Sequence, residues 1–321
     1  MIKQLKATRA ARSEPGDLLA RVKKHGGKFA SRLFLYILLI AIGFVYLYPI
    51  LKMISQGLMD PFDSASPLVN WIPTKLTFSN FTRAFAVLGG WKTLFVTIGV
   101  MLLIAAAQTI SSAVIAYGFS KFDFPCKKLL FLLMIACFML PSQITMLPNY
   151  VLFKDYHMLH TILPLFVPSL LGQGIRQSLF ILIFYQFYNM APKSLDEAAF
   201  IDGAGILRTF LTINLRMTTP ALVVVFVFSF VWNWNETNLS SSYFGDTITT
   251  LPLALENFRT RFEQMYPSNY QGTSINNMES LLSRGIQAAG TLLSIVPLVV
   301  LYLFIERKLI ESIDRSGITG E

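Results

Sequence analysis

Residues 194–210 read SLDEAAFIDGAGILRTF. The stretch holds acidic side chains, small alanines and the glycines Gly203 and Gly205, yet long apolar runs flank it on both sides. A polar segment between apolar runs is a loop at a membrane face if those runs are long enough to span lipid. Crossing about 30 Å of hydrocarbon as a helix takes about 20 residues. Six stretches approach that length: 33–53, 94–117, 129–146, 162–188 (interrupted by polar residues), 220–234 and 286–305. Each must be helical, because a lone strand leaves its backbone polar groups unpaired in lipid. The sequence thus predicts an all-α membrane protein with six transmembrane helices.

Composition agrees. Charged residues make up 14% of the 321 positions, against roughly 25% in soluble domains. Lys and Arg accumulate in short cytoplasmic segments, which orients the chain. With the N-terminus inside, 18 of the 27 basic residues fall on the cytoplasmic side. The +9 charge is then topological and implies no nucleic-acid partner. The expected organisation is a basic cytoplasmic arm (1–32), a transmembrane domain (33–307) with a cytoplasmic loop at 190–217 and an outer segment at 239–285, and a cytoplasmic tail (308–321). The arm either touches anionic membrane lipid or is a solvated tail. The first apolar run lacks a small-residue cleavage site and reads as an uncleaved anchor. Cys126 and Cys137 fall in different environments and are expected as free thiols.

Within 190–217, Pro192 ends one helix, and Ser194 with Glu197 fits a capping box that starts the next. Ala198 and Ala199 favour helix with little bulk, and Gly203 and Gly205 end or bend it. Ile206, Phe210 and Ile213 then recur at helical spacing. No nucleophile with its base, no metal cluster and no phosphate loop is present, so no catalytic residue is assigned. Two readings remain, an ordinary interfacial helix and a docking helix. For docking, the alanines allow close approach, Glu197 suits a partner's arginine, and Phe200 and Ile201 suit an apolar cleft.

The segment is similar to the loop motif of permease subunits of ATP-binding-cassette (ABC) importers, E-A-A, then D-G-A, then I-x-L-P. Here these are Glu197-Ala198-Ala199, Asp202-Gly203-Ala204 and Ile213-Asn214-Leu215, with Arg216 in place of proline and Pro220 four residues on. Five further blocks, YPILKMISQGL, AYGFSKFDFPCKKLLFLLM, MLPSQITMLPNYVLF, WNWNET with TLPLALENF, and LFIERKLIESIDRSGITG, resemble the carbohydrate branch, of the maltose-permease type and the smaller of its two subunits. The resemblance implies a type I importer permease fold in a bacterial inner membrane with both termini cytoplasmic. It implies a coupling helix (Ser194, Glu197, Ala198, Ala199, Phe200, Ile201, Asp202, Gly203, Ala204) that docks on an ATPase. It also implies a homologous second permease, two ATP-binding cassette subunits and a periplasmic or lipoprotein solute-binding protein as partners. The chain carries no G-x-x-x-x-G-K-[ST], so ATP and Mg would sit on the partner ATPase and this chain would bind no cofactor. An oligosaccharide, acidic or neutral, is the implied cargo. The alternatives are a non-sugar solute, or a stand-alone secondary transporter with inverted repeats and discontinuous helices.

Outside the loop, Arg176 is an intramembrane cation flanked by Gln173 and Gln177. It either lines a substrate pathway or snorkels or pairs at an interface. Trp232, Asn233, Trp234, Asn235 and Glu236 close span five, as sugar-stacking groups or as an interfacial aromatic belt. The outer segment reads as a long loop, either functional or a harmless insertion. His157 and His160 beside Asp155 are too few for a metal site.

Overall fold

A computed structural model describes residues 15–60, 63, 66, 69, 71–266 and 275–318. The expected basic arm up to residue 14, residues 267–274 of the outer segment and the last three residues of the tail lie outside the described residues. Among the described residues there is no strand, only an isolated bridge between Met59 and Leu76.

The helices are α1 (Pro15–Leu58), α2 (Ser79–Val87), α3 (Gly90–Lys121), α4 (Lys127–Met139), α5 (Ser142–Asp155), α6 (Leu163–Leu170), α7 (Gln177–Met190) and α8 (Lys193–Ile201). Next come α9 (Ile206–Thr209), a π-helical turn (Phe210–Asn214), α10 (Leu215–Met217), α11 (Thr219–Asn235), α12 (Thr237–Phe244), α13 (Leu251–Glu256), α14 (Phe258–Met265) and α15 (Ile275–Ile318).

Three unbroken helical stretches among the described residues are long and apolar enough to cross a membrane: Ser31–Leu58, Gly90–Lys121 and Arg284–Arg307. Of the other three expected spans, three and four are not continuous helices, which corrects the sequence reading, while span five is one unbroken helix. Span three is α4 and α5 meeting at 104°. Its break is at Leu140, held extended (φ −76°, ψ 124°) before Pro141, because proline's Cδ disfavours helical backbone at the preceding residue. Span four is two short helices, α6 and α7, separated by residues 171–176. Span five is the 17-residue α11, and the helical stretch Ile206–Met217 runs into it at 78°. Pro220 lies in the first turn of α11, where the lost N–H needs no partner. The chain turns at Thr218, two residues beyond Arg216 and two before Pro220.

α3 is the central rod. It packs on α6, α7 and α11, while α15 packs along α1, α2 and α11. Toward the Gly90 end of α3, Met101 and Ala105 join Phe230, Trp234, Leu251, Phe258 and Ile286 in one core. Toward its Lys121 end, Ala113, Ala116 and Tyr117 join Phe180, Phe184, Tyr188, Phe210 and Val225 in another. Alanines on the rod let neighbouring backbones approach closely, as in membrane bundles generally. α1, by contrast, exposes Leu33 through Leu51 almost continuously, the surface of a helix that meets lipid or another subunit.

The segment 239–285, expected as a long loop, is largely helical over its described residues. α13 and α14 bury Leu251, Leu253, Ala254, Phe258 and Phe262 in the bundle. The Leu251 N–H donates to Thr97 Oγ1 at 2.8 Å, and Arg261 Nε donates to the Val87 carbonyl at 2.9 Å.

Candidate functional site

The loop of residues 190–217 folds as two helical pieces around one tight turn. α8 starts at Lys193 with Pro192 as its N-cap residue, and no side chain caps it. The Ser194–Glu197 capping box does not form. Pro192, extended at ψ 129°, already supplies the helix entry, so Ser194 falls inside the first turn, beyond reach of the orphan N–H groups. The far end matches expectation. Gly203 has φ +77°; its N–H bonds the Phe200 carbonyl at 3.1 Å, and the Ala204 N–H bonds Ala199 at 2.9 Å. These two bonds close the helix as a Schellman turn. A Cβ at Gly203 would meet nothing within 4 Å, so its need for glycine lies in the backbone and not in crowding.

Helical phase sorts the motif into two faces. Asp196 and Ala199, three apart, turn inward, Ala199 being 7% exposed. Ser194, Glu197, Ala198, Phe200, Ile201, Asp202 and Gly203 are exposed, with Ala204 half-buried. Ile201 is 87% exposed and Phe200 50%. Glu197 forms no ion pair among the described residues.

Asp196, which sequence reasoning missed, fixes this helix to the bundle. Lys121 Nζ, at the end of α3, lies 2.6 Å from Asp196 Oδ2, both side chains being 15% exposed. Asn214 Nδ2, from the π-helical turn, donates to Asp196 Oδ1 at 2.7 Å. One carboxylate thus joins the central rod, the docking-type helix and the helix leading into α11. Adjacent acids look alike in sequence; only the 3.6-residue period separates the anchored Asp196 from the free Glu197.

The second region is the gap in span four. Gly172 (φ +84°) and Arg176 (φ +53°) are left-handed there, and the interrupted helix frees backbone groups inside the bundle. Glutamines pair them. Gln177 Oε1 accepts from the Gly174 N–H at 2.6 Å, and Gln177 Nε2 donates to Ser111 Oγ at 2.6 Å and the Ser169 carbonyl at 2.8 Å. Gln108 Nε2 donates to the Ile175 carbonyl at 3.3 Å; its Oε1 accepts from Asn233 Nδ2 at 2.9 Å and from the Ser229 hydroxyl. Gln108, Gln177, Ser229 and Asn233 are all buried. A Cβ at Gly174 would lie 2.2 Å from Gln108 Nε2 and 2.6 Å from Gln177 Oε1, so the node closes only around glycine.

Of the expected pathway residues, Gln177 and Asn233 are thus inside this node, and Trp234 is in the outer core at 2% exposed. Glu236 caps α12 by accepting from the Leu239 N–H at 3.2 Å. Asn235 is exposed and bonds the Val231 carbonyl of its own helix. Gln173 and Arg176 are exposed at the gap, and Trp232 is half-buried. Arg176 Cζ sits 4.8 Å from the Trp232 ring centre, and Trp232 stacks on Phe180 at 5.2 Å. The structure brings Arg176, Gln177, Trp232 and Asn233 together and leaves Glu236 to a capping role. Gln108 and Ser111 were missed, although polar residues inside an apolar span are themselves a signal. His160 donates its backbone N–H to the Tyr243 carbonyl, and no cluster of three metal-ligand types occurs among the described residues.

The chain is similar to a putative ABC transporter permease, ORF2, of Caldicellulosiruptor sp. (strain Rt8B.4), at 29% identity over 82% of this chain and 90% of that protein. It is 25% identical to the arabinooligosaccharides transport system permease AraQ of Halalkalibacterium halodurans, over 87% of this chain and 93% of that protein. The fold matches a subunit of a bacterial ABC transporter involved in import of the acidic polysaccharide alginate, with TM-score 0.68 and 17% identity over 89% of this chain and 97% of that one. Residues 109–309, well over half of the sequence and inclusive of both regions above, match one family throughout. The chain belongs to the binding-protein-dependent transport system inner membrane components.

Proposed function

We propose that this permease moves an oligosaccharide into the cytoplasm by alternating access, driven by ATP hydrolysis on partner subunits. The observation that carries the reading is the α8 helix, rigidly anchored through Asp196 on one face and presenting Glu197, Phe200 and Ile201 outward on the other. This arrangement supports reading α8 as a coupling helix. Its apolar tip would enter a cleft on an ATPase, and the Asp196–Lys121 contact would pass the displacement to α3.

The partners in this reading are a homologous second permease, two ATP-binding cassette subunits and an external solute-binding protein. ATP and Mg would be held by the ATPases, and this chain would bind no cofactor. Both termini would be cytoplasmic in a bacterial cell membrane, which places Lys121, Lys127, Lys128, Lys193, Arg208 and Arg216 on the inner face. A sugar cargo is supported by the carbohydrate-type blocks of the sequence and by the printed role of AraQ in arabinooligosaccharide transport.

The test is Glu197→Lys and Gly203→Val in reconstituted vesicles. Reversing Glu197 puts like charges together at the contact, which costs up to several kcal/mol; valine at φ +77° strains the turn. Both variants should insert normally, lose uptake and recover less ATPase subunit. Wild-type uptake with full ATPase recovery in both would remove α8 as the coupling element.

A further inference from the structure

Arg176 is the one conspicuous group near the gap in span four that the coupling mechanism leaves unused. We propose that Arg176, held in place by Trp232, reads a carboxylate on the transported sugar, so that the cargo is a uronate-type acidic oligosaccharide. The inference rests on the oligosaccharide reading above and specifies its chemistry.

Depth comes first. α7 has 14 residues and rises roughly 21 Å at about 1.5 Å per residue, so Arg176 lies that far above the cytoplasmic end of the helix. Trp232 stands 13 residues beyond Thr219 in α11, roughly 20 Å up by the same rise. A guanidinium keeps its charge at any physiological pH, and at this depth an unpaired one is costly.

Snorkelling does not remove the cost, because the group is fixed at both ends. Its backbone lies between Ile175, whose carbonyl is held by Gln108, and Gln177, which is locked into the buried node. Its head rests 4.8 Å from the Trp232 ring centre, and that indole is itself stacked on Phe180 with the rings 17° apart. Cation–π contact of this kind leaves guanidinium N–H donors free for a carboxylate.

Among the described residues no carboxylate takes those donors, and Arg176 forms no ion pair. The side chain is exposed, and so is Gln173 in the same non-helical segment. Irregular backbone at membrane depth persists only where protein buries it or where it lines a water-filled cavity. The glutamine node covers one side of the gap; the Gln173–Arg176 side is the one left to face such a cavity. Amide, indole and guanidinium together suit hydroxyls and a carboxylate on one saccharide.

The test uses the complete transporter in vesicles with its binding protein, tetragalacturonate and neutral maltotetraose as probes, and wild type, Arg176→Gln and Arg176→Lys as permeases. Wild type should import tetragalacturonate. Arg176→Gln should lower that uptake about 10- to 100-fold, the loss of a charged hydrogen-bonded contact, with unchanged recovery of both partner subunits, and Arg176→Lys should retain an intermediate rate. Uptake of maltotetraose alone by wild type would overturn the inference and leave the oligosaccharide reading standing. Equal uronate uptake by Arg176→Gln, or loss of the second permease from the complex, would overturn it too, the latter assigning Arg176 to a subunit contact. If neither saccharide is imported, the oligosaccharide reading falls and this one with it.

Discussion

Glu197 and Gln177 are both long polar side chains near a helix start, and the molecule treats them oppositely. Glu197 is exposed and free of ion pairs among the described residues, whereas Gln177 is 1% exposed and bonded through both its oxygen and its nitrogen. The difference follows from solvent. At the exposed face of α8 water can satisfy a carboxylate. Inside the bundle no water competes, and each backbone group freed by the break in span four must find a side chain. Buried polar residues, Asp196 of α8 among them, thus hold the fold, whereas Glu197 is left to solvent.

The largest effect expected from this contrast is at the node. Gln177→Leu leaves the Gly174 N–H without its partner, at about 1–3 kcal/mol for a buried group, while the Ser169 carbonyl keeps the Ser111 hydroxyl. Purified protein should unfold at a clearly lower temperature in detergent, and Glu197→Gln measured beside it should not. Equal melting of the two would break the distinction between an internal and an external polar set.

An intermediate effect belongs to the residue that joins the two regions. Lys121→Asp sets two carboxylates against each other at the Asp196 contact, and the half-buried setting places the loss between a surface pair and a buried one, about 1–3 kcal/mol. The exchange Lys121→Asp with Asp196→Lys should recover uptake and most of the stability, a coupling above about 0.5 kcal/mol in a double-mutant cycle. Additive losses would mean that the two charges hold α8 independently.

The smallest effect lies at the outer face. Asp63 accepts from Thr74 Oγ1 at 2.5 Å, from the Thr74 N–H at 2.8 Å and from the Lys75 N–H at 3.2 Å. The Thr74 hydroxyl bond above all holds its carboxyl below the ordinary 3.8, with the backbone bonds adding to it and burial opposing. A depressed folded value means that the carboxylate's contribution is complete above 3.8 and is lost as pH falls through the lower folded value. Trp71, whose carbonyl accepts from Ser55 Oγ, should report this as a fluorescence change confined to pH below about 4, absent in Asp63→Asn. A transition near neutral pH would assign it to another group.

Much of this was legible in the chain. Apolar runs of about 20 residues announce membrane helices because lipid leaves no other way to pair a backbone, and the position of Gly203 announces a left-handed turn because it follows a helix of small and acidic residues. The E-A-A and D-G-A triplets with the other blocks indicated the family. The capping box misled, since Pro192 starts the helix without help from Ser194. Span four looked like one interrupted helix, and its polar residues looked like lining; pairing among Gln108, Gln177, Ser229 and Asn233 depends on three helices meeting, which no local pattern records.

The sequence by itself determined the helical class, the membrane setting, the place of the 190–217 loop and the residue types on it, because these depend on composition and on neighbours within a few residues. Tertiary structure alone decided that Asp196 anchors while Glu197 faces out, that Gln108 closes over Gly174, and that Arg176 rests on Trp232. Each of those outcomes is a contact between segments far apart in the chain, and such contacts form only once the packing of α3 against α7 and α11 has fixed the distances.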